Sequence, residues 1–230
     1  MVEYRKSNKN SYSLEIMLDL YLVRHAQSEM NLEAHLIGGR SNHVPLSPIG
    51  ELQGSYLGKR FRKERIRFSR IYSSTAVRTQ KTAHLTSHEI EFPVNKIILS
   101  EDLLELDQGD WEGQPRSEIY TSEMLAMINA NNWEFTPPHG ESQRMVEERM
   151  YSVVERNLLL PAPKPETVAI FGHGMAIKCL LRKILGSSPS MTYKMVLGNT
   201  SITRLQYHSN GWHFISMNDV SHLPTNLRTH

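Results

Sequence analysis

Cysteine is almost absent: the 230 residues include one, Cys179. An internal disulfide is therefore excluded, and a lone thiol on an apolar helical stretch reads as a small core residue in a reducing compartment, the cytoplasm. Long hydrophobic runs are missing as well. None approaches the ~20 residues of a membrane-spanning helix, and Met1 to Ile16 is polar and mixed in charge, without the apolar centre of a secretory leader. No membrane partner is expected, and residues 1–17 read as an extended N-terminal segment. Charge of one sign is scarce: 26 Lys and Arg against 24 Asp and Glu leave a net +2, too little to argue for nucleic acid as a partner. The basic residues Arg60, Arg62, Lys63, Arg65 and Arg67 read as the solvated end of a helix. The eleven histidines are scattered, and no H-x-x-x-H, H-E-x-x-H or Asp-x-Asp cluster is expected to bring ligands together, so neither a metal nor another cofactor is expected. Repeats and low-complexity segments are also missing. With 39% apolar content the chain can bury one sizeable core, and residues 18–230 read as a single domain.

What is present concentrates in three stretches. Leu18 to Val23 is a short, nearly continuous apolar run, too short for a membrane and rich in strand formers, so it predicts a strand buried on both faces of a parallel sheet. Arg24 and His25 follow where that strand runs out, and ligands bind in open α/β sheets beyond the strand C-termini. A cation beside an imidazole suggests an anion site. Thr167 to Phe171 is a second apolar strand, ending on Gly172-His173-Gly174, and Ile177, Leu180, Leu181 and Ile184 then follow helical spacing. His173 therefore falls at a strand-to-helix turn, a natural seat for a phosphate or oxyanion. In the third stretch, Arg70 to Ala83, a short strand leads through a Ser/Thr-rich cap into a helix carrying Arg78 in its first turn. Positive charge there opposes the helix dipole and is rewarded only by an anion.

Elsewhere, Asn31 to Arg40 predicts a short helix and a loop containing Gly38. Ser47 is a suitable N-cap with Pro48 at the first helical position, opening a helix to about Lys63 that packs through Leu52, Tyr56, Leu57 and Phe61. Phe92 to Leu99 reads as a strand, Leu103 to Gly113 as an acidic loop, and Ser142 to Leu159 as a helix with Val146, Met150, Val153 and Val154 inward. Two closing strands, about Ser201–Tyr207 and Trp212–Asn218, meet at a hairpin turn on Ser209-Asn210-Gly211. Pro115 to Gly140 is weakly patterned and reads as a lid-like insertion. Its aromatics, Trp133 and Phe135, serve equally well as substrate contacts or as anchors for the loop.

The stretch Leu22-Val23-Arg24-His25-Ala26-Gln27-Ser28-Glu29-Met30-Asn31 resembles the Arg-His-Gly signature of the histidine phosphatase superfamily, which includes cofactor-dependent phosphoglycerate mutases and many phosphomonoesterases. Four more matches follow in family order: Ser73 to Thr79, Leu104 to Gly113, Pro138 to Ser142, and Gly172-His173-Gly174, together covering roughly residues 18–222. Ala26 stands where the family usually has glycine, and Ile37 where relatives often place a small polar residue. Elements and resemblance together imply an α/β fold: a three-layer αβα arrangement with a mostly parallel central sheet flanked by helices, plus the lid-like insertion.

The implied chemistry is covalent. A neutral His25 attacks the phosphomonoester; Arg24 and Arg78 hold the phosphoryl oxygens as planar donors; His173 donates to an equatorial oxygen. The resemblance, and not the acidic loop itself, selects Glu105 as the acid that protonates the leaving group. Asn31, Gly38, Arg40 and Gly174 complete the expected substrate contacts. Three activities share these parts: a phosphatase, a mutase and a catalytically dead phospho-ligand module. Glu105 and His173 are only 68 positions apart, whereas phosphoglycerate mutases carry a longer enclosing segment there. The expectation is thus a metal-independent, histidine acid-type phosphatase whose partner is a small-molecule phosphomonoester. A homodimer is left open.

Overall fold

The computed structural model describes residues 15–160 and 165–229. The expected N-terminal segment lies outside the described residues up to position 14, and its last two residues are already strand. β1 (Ile16–Arg24) is followed by α1 (Glu29–Leu32), α2 (Pro48–Lys63), β2 (Arg70–Ser74) and α3 (Val77–Glu89). Next come β3 (Ile98–Ser100), α4 (Arg116–Ile119), α5 (Ser122–Ala130) and α6 (Gln143–Val154), the last running into a π-helical turn over Glu155–Leu159. β4 (Glu166–Gly172), α7 (Gly174–Leu185), β5 (Ile202–His208) and β6 (Gly211–Asp219) close the chain.

The strands form one sheet in the order β3-β2-β4-β1-β5-β6. Its first four members are parallel, and the β5–β6 hairpin adds antiparallel to β1. β1 is central, which explains its unbroken apolar run. Leu18, Leu20 and Leu22 face a core completed by Val146 and Met150 of α6 and Leu180 and Leu181 of α7; Tyr21 and Val23 face the opposite core with Leu57 and Phe61 of α2 and Ala83 of α3. Helices therefore cover both faces, giving three layers. Cys179 is fully buried in the first core, where burial pushes its thiol up to about 12. Among the described residues no helix is long and apolar enough to cross a membrane.

Four local expectations are corrected. Leu52 is 53% exposed; α2 instead buries Gly50, Gln53, Gly54, Leu57, Gly58 and Phe61, a complete i, i+3, i+4, i+7, i+8 stripe in which Gly54 and Gly58 let α3 approach. The strand expected over Phe92–Leu99 is cut to Ile98–Ser100, because Pro93 cannot donate to a ladder and residues 94–96 form a 3₁₀ turn. α3 has no hydroxyl cap: its N-cap is Ala76, and the Ser74 hydroxyl accepts from the Ala76 amide at 3.3 Å. The basic end of α2 is only partly solvated, since Arg60 donates to Asp219 at 2.8 Å and ties the helix to β6.

Candidate active site

β1 and β4 run parallel and end together, so the backbone N–H of His25 donates to the Gly172 carbonyl at 2.9 Å, and His173 follows immediately as the N-cap of α7. This register brings two histidines 148 positions apart to 5.2 Å between ring centroids. Arg78, from the first turn of α3, lies between them. Its Nε donates to His25 Nε2 at 3.2 Å, its Nη2 contacts His173 Nδ1 at 3.0 Å, and its Nη1 donates to the Ser41 carbonyl at 2.8 Å. Arg24, the last residue of β1, donates from Nη1 to the Leu197 carbonyl at 2.6 Å, while its Nε is buried without a partner. A donor in that state is suited to an anion.

The protonation of His25 is set by its own strand end. Its Nδ1 sits 2.7 Å from the Ala26 carbonyl, which can only accept, so the proton resides on Nδ1 and Nε2 presents a lone pair toward the Arg78 side. Burial, reinforced by Arg78 and Arg24, drives the His25 pKa well below its usual 6.5. His173 is lowered in the same way, by burial first and then by Arg78. Burial also brings the Arg78 guanidinium down to about 10, still charged at neutral pH. The site is thus neutral imidazoles among fixed cations.

Arg24, His25, Asn31, Gly38, Arg78 and Glu105 all border one cavity of about 200 Å³. Glu105 takes the position expected for a phosphate at the start of α7: its carboxylate accepts from the Met175 and Ala176 amides at 3.0 and 2.9 Å and from the Leu106 amide at 2.9 Å. The helix N-terminus therefore orients a carboxylate at the cavity wall. Asn31 uses its side-chain oxygen to accept from the Ser28 amide at 3.0 Å and from Asn199 at 3.4 Å. His173 does not border the cavity. It contacts Arg78 through Nδ1, and its Nε2 lies 2.8 Å from the Ser74 hydroxyl, which places it behind the arginine. Arg40 is likewise turned away, pairing with Asp107 at 3.3 Å and Glu141 at 3.2 Å. Gly174 backs onto Arg24; a Cβ there would lie 3.4 Å from Arg24 Nε.

A second, larger cavity of about 460 Å³ adjoins the first, the two sharing Gly38, Gly39, Leu106, Gln108, Arg116 and Met175. α4 and α5 of the insertion supply part of its wall. Phe135 lines it, whereas Trp133 borders neither cavity.

The family model described as histidine phosphatase superfamily (branch 1) matches residues 20–220. The chain belongs to this superfamily. Among relatives, "Probable phosphoglycerate mutase GpmB" of Yersinia enterocolitica is 32% identical over 216 residues, covering 90% of this chain and 95% of the relative. Among solved structures, Bacillus stearothermophilus YhfR superposes with a TM-score of 0.75 at 28% identity, over 89% of this chain and 98% of its own. The fold is also that of the Entamoeba histolytica phosphoserine phosphatase in complex with 3-phosphoglyceric acid, at TM-score 0.76, 24% identity, and coverage of 90% and 100%.

Against the histidine phosphatase pattern the two departures now have locations. Ala26 does not adopt a positive φ and is fully buried, its amide donating to Thr82 Oγ1 at 3.0 Å, so its methyl needs no conformational freedom. Ile37 is buried and lines the larger cavity, adding apolar surface where relatives often place a polar residue.

Several supporting residues lack a local sequence signal. Glu112 accepts from the amides of Arg40, Ser41 and Gln108 at 2.6, 3.2 and 3.3 Å, shaping the loop whose Ser41 carbonyl holds Arg78. Asn199 donates to the His25 carbonyl at 3.1 Å, and Gln53 accepts from the Gln27 amide at 2.8 Å. The second of these was foreshadowed only by a polar residue on the glycine-bearing face of α2. The one H-x-x-x-H spacing, His84 and His88 on α3, recruits no third ligand: among the described residues no three of His, Cys, Asp and Glu converge.

Proposed function

We propose that this protein hydrolyses small phosphomonoesters through a phosphohistidine at His25. The observation that carries the reading is the hydrogen bond from His25 Nδ1 to the Ala26 carbonyl, which leaves Nε2 unprotonated in a cavity bordered by Arg24 and Arg78. The Nε2 lone pair forms a bond to phosphorus as the bond to the ester oxygen breaks, and Glu105 gives that oxygen its proton. In the second half water attacks the phosphorus, Glu105 takes a proton from the water, and the electron pair of the P–N bond returns to Nε2. Arg24 and Arg78 neutralise the equatorial oxygens throughout. His173, held against Arg78, acts by fixing that arginine.

Hydrolysis is preferred to phosphoryl transfer between positions of a bisphosphorylated substrate. A mutase must hold a second anionic group, and among the described residues Arg116 is the only basic one bordering the larger cavity. The mutase names of the relatives keep that activity as the alternative. A binding module without catalysis is disfavoured by the complete set of nucleophile, acid and arginines. Metal independence follows from the same residues, since two guanidiniums already supply the charge a divalent cation would bring; EDTA should leave the rate unchanged, and revival by Mg²⁺ would contradict the mechanism.

The decisive experiment is rapid quench with a labelled phosphomonoester, followed by an assay for acid-labile label. Label on His25, loss of nearly all turnover in His25→Ala, and release of inorganic phosphate support hydrolysis. Turnover of phosphoglycerate that requires a bisphosphorylated primer would make the protein a mutase. Substantial activity in His25→Ala would defeat both.

A further inference from the structure

We infer that Glu112 is a positioning residue for phosphoryl binding that acts through Arg78, although its own side chain borders neither cavity. The inference rests on the phosphate reading of the smaller pocket and concerns what aims its central arginine. Arg78 Nη1 donates to the Ser41 carbonyl at 2.8 Å, and the next carbonyl, that of Asn42, accepts from the Val77 amide at 2.8 Å. The loop between α1 and α2 is thus stapled to the start of α3 at two adjacent residues. The guanidinium is a planar fork, so a shift of the Ser41 carbonyl turns it and changes which N–H groups face a phosphoryl oxygen.

The loop does not hold that carbonyl by its own preference. Gly39 and Ser41 have φ of +52° and +34°, and a residue with a side chain stays in the left-handed region only where its surroundings over-determine it. One tie is local, from the Ser41 hydroxyl to the Gly38 carbonyl. The other comes from 71 positions along the chain.

The amides of Arg40 and Ser41 converge into a backbone concavity of the kind that takes an anion, and the Glu112 carboxylate fills it. Oε1 accepts from the Arg40 amide at 2.6 Å and Oε2 from the Ser41 amide at 3.2 Å, while Oε1 also accepts from the Gln108 amide at 3.3 Å. Both oxygens are therefore in use. A Cβ on Gly39 would stand 2.1 Å from Oε1, so that position needs glycine for the carboxylate as well as for its φ. Glu112 also favours charge on Arg78: burial lowers that guanidinium to about 10, opposed by Glu105 and then by Glu112. Glutamine has nearly the size of Glu112 but one acceptor oxygen, and its NH₂ would meet the Ser41 N–H.

The test is calorimetric titration with inorganic phosphate, which needs no turnover. Glu112→Gln should raise the phosphate Kd about tenfold, the scale of one hydrogen bond to a charged group. Gly39→Ala, which expels the carboxylate while leaving it in the chain, should act in the same direction and serves if Glu112→Gln does not fold. Coupling separates positioning from general support of the fold. With Arg78→Lys already present, Glu112→Gln should add less than about twofold, within the scatter of such comparisons, whereas with Arg24→Lys it should still cost about tenfold. In turnover, kcat/KM should fall equally for an alkyl and an aryl ester, since both present the same phosphoryl oxygens, while loss of a general acid is selective. Unchanged phosphate affinity in Glu112→Gln, or tighter binding because phosphate takes the vacated amides, would overturn the inference. So would a loss that persists undiminished beside Arg78→Lys, or a wild type that binds no phosphate. If no ester is hydrolysed and the coupling is nevertheless found, the hydrolase reading fails and the role of Glu112 stands.

Discussion

At the scale of single residues, the site depends on keeping an imidazole neutral among guanidiniums. His25 is depressed by burial and then by Arg78 and Arg24, so its free base persists as pH falls through 6.5, where an ordinary histidine would take up a proton. Corrected for ionisation of the substrate, kcat/KM should therefore show no loss on acidification from pH 8 to below 6.5, and should fall on the alkaline side as Arg78 approaches its pKa of about 10. An acid inflection at or above 6.5 in the corrected profile would contradict the assignment of the nucleophile. Glu105 has a different signature. A general acid matters most when the leaving group is poor, so Glu105→Gln should slow alkyl phosphates on the order of 10²–10⁴-fold and an activated aryl phosphate much less. Equal losses on both would give Glu105 a purely positional role. His25, Arg24 and Arg78 were legible because each sits at a strand end or helix start visible in the apolar pattern. The acceptor that sets the tautomer was not: it is the carbonyl of the next residue, and only the side-chain torsion of His25 brings the two together.

At the scale of elements, two helices set the site by different means. α2 lies against α3 through glycines. A Cβ on Gly58 would stand 2.6 Å from Glu89 Cβ and 2.8 Å from the Thr86 carbonyl. Alanine is the better helix former by about 1 kcal/mol, yet Gly58→Ala should lower the melting temperature, since α3 must move and carries Arg78 with it. A higher melting temperature would show that the interface yields easily. α6 holds the acid loop from beneath: Arg149 donates to the Asp102, Leu104 and Glu105 carbonyls at 2.8, 2.7 and 3.0 Å and pairs with Glu141. Arg149 thus holds the backbone that carries Glu105. Arg149→Lys, which cannot fill this fork, should lower kcat by roughly tenfold or more, and selectively for alkyl over aryl esters. A uniform loss with unchanged selectivity would mark it as merely structural. An apolar-only reading put Leu52 inward because glycine carries no hydrophobic signal, although it was the glycines that determined the phase of the buried face.

At the scale of the whole molecule, the C-terminal segment closes behind the active strand. Thr200 donates its amide to the Arg24 carbonyl at 3.1 Å and lies with its hydroxyl 3.1 Å from His222 Nε2; the Thr229 carbonyl accepts from the Asn199 amide at 3.0 Å. His222 is lowered to about 4, chiefly by burial and then by Arg60. A histidine depressed in the folded state binds its proton first in the unfolded chain, so the stability it contributes is complete above pH 6.5 and is lost as pH falls from 6.5 toward 4. His25 and His173 act in the same direction. Unfolding free energy should therefore drop across this window, by at most ~1.4 kcal/mol per pH unit for each histidine, with His222→Gln flattening the slope. The lowered carboxylates, Glu141 and Asp219, act in a more acidic window, losing their contribution as pH falls below their ordinary values. Denaturant titrations from pH 4 to 8 would test this, and stability rising on acidification from 6.5 would refute it.

The amino-acid sequence by itself determined the α/β alternation, the strand ends carrying Arg24-His25 and His173, and the helix start carrying Arg78, because each is encoded by local periodicity interrupted by a polar group. It also carried the family likeness that the matched model establishes. Tertiary structure alone decided which groups meet. The parallel register of β1 and β4 set the two histidines side by side, the start of α7 received the Glu105 carboxylate rather than the expected phosphate, and Phe135 was placed on the wall of the larger cavity while Trp133 borders neither. These are contacts between segments far apart in the chain, settled by packing and by the satisfaction of buried donors, for which no short stretch of sequence carries a signal.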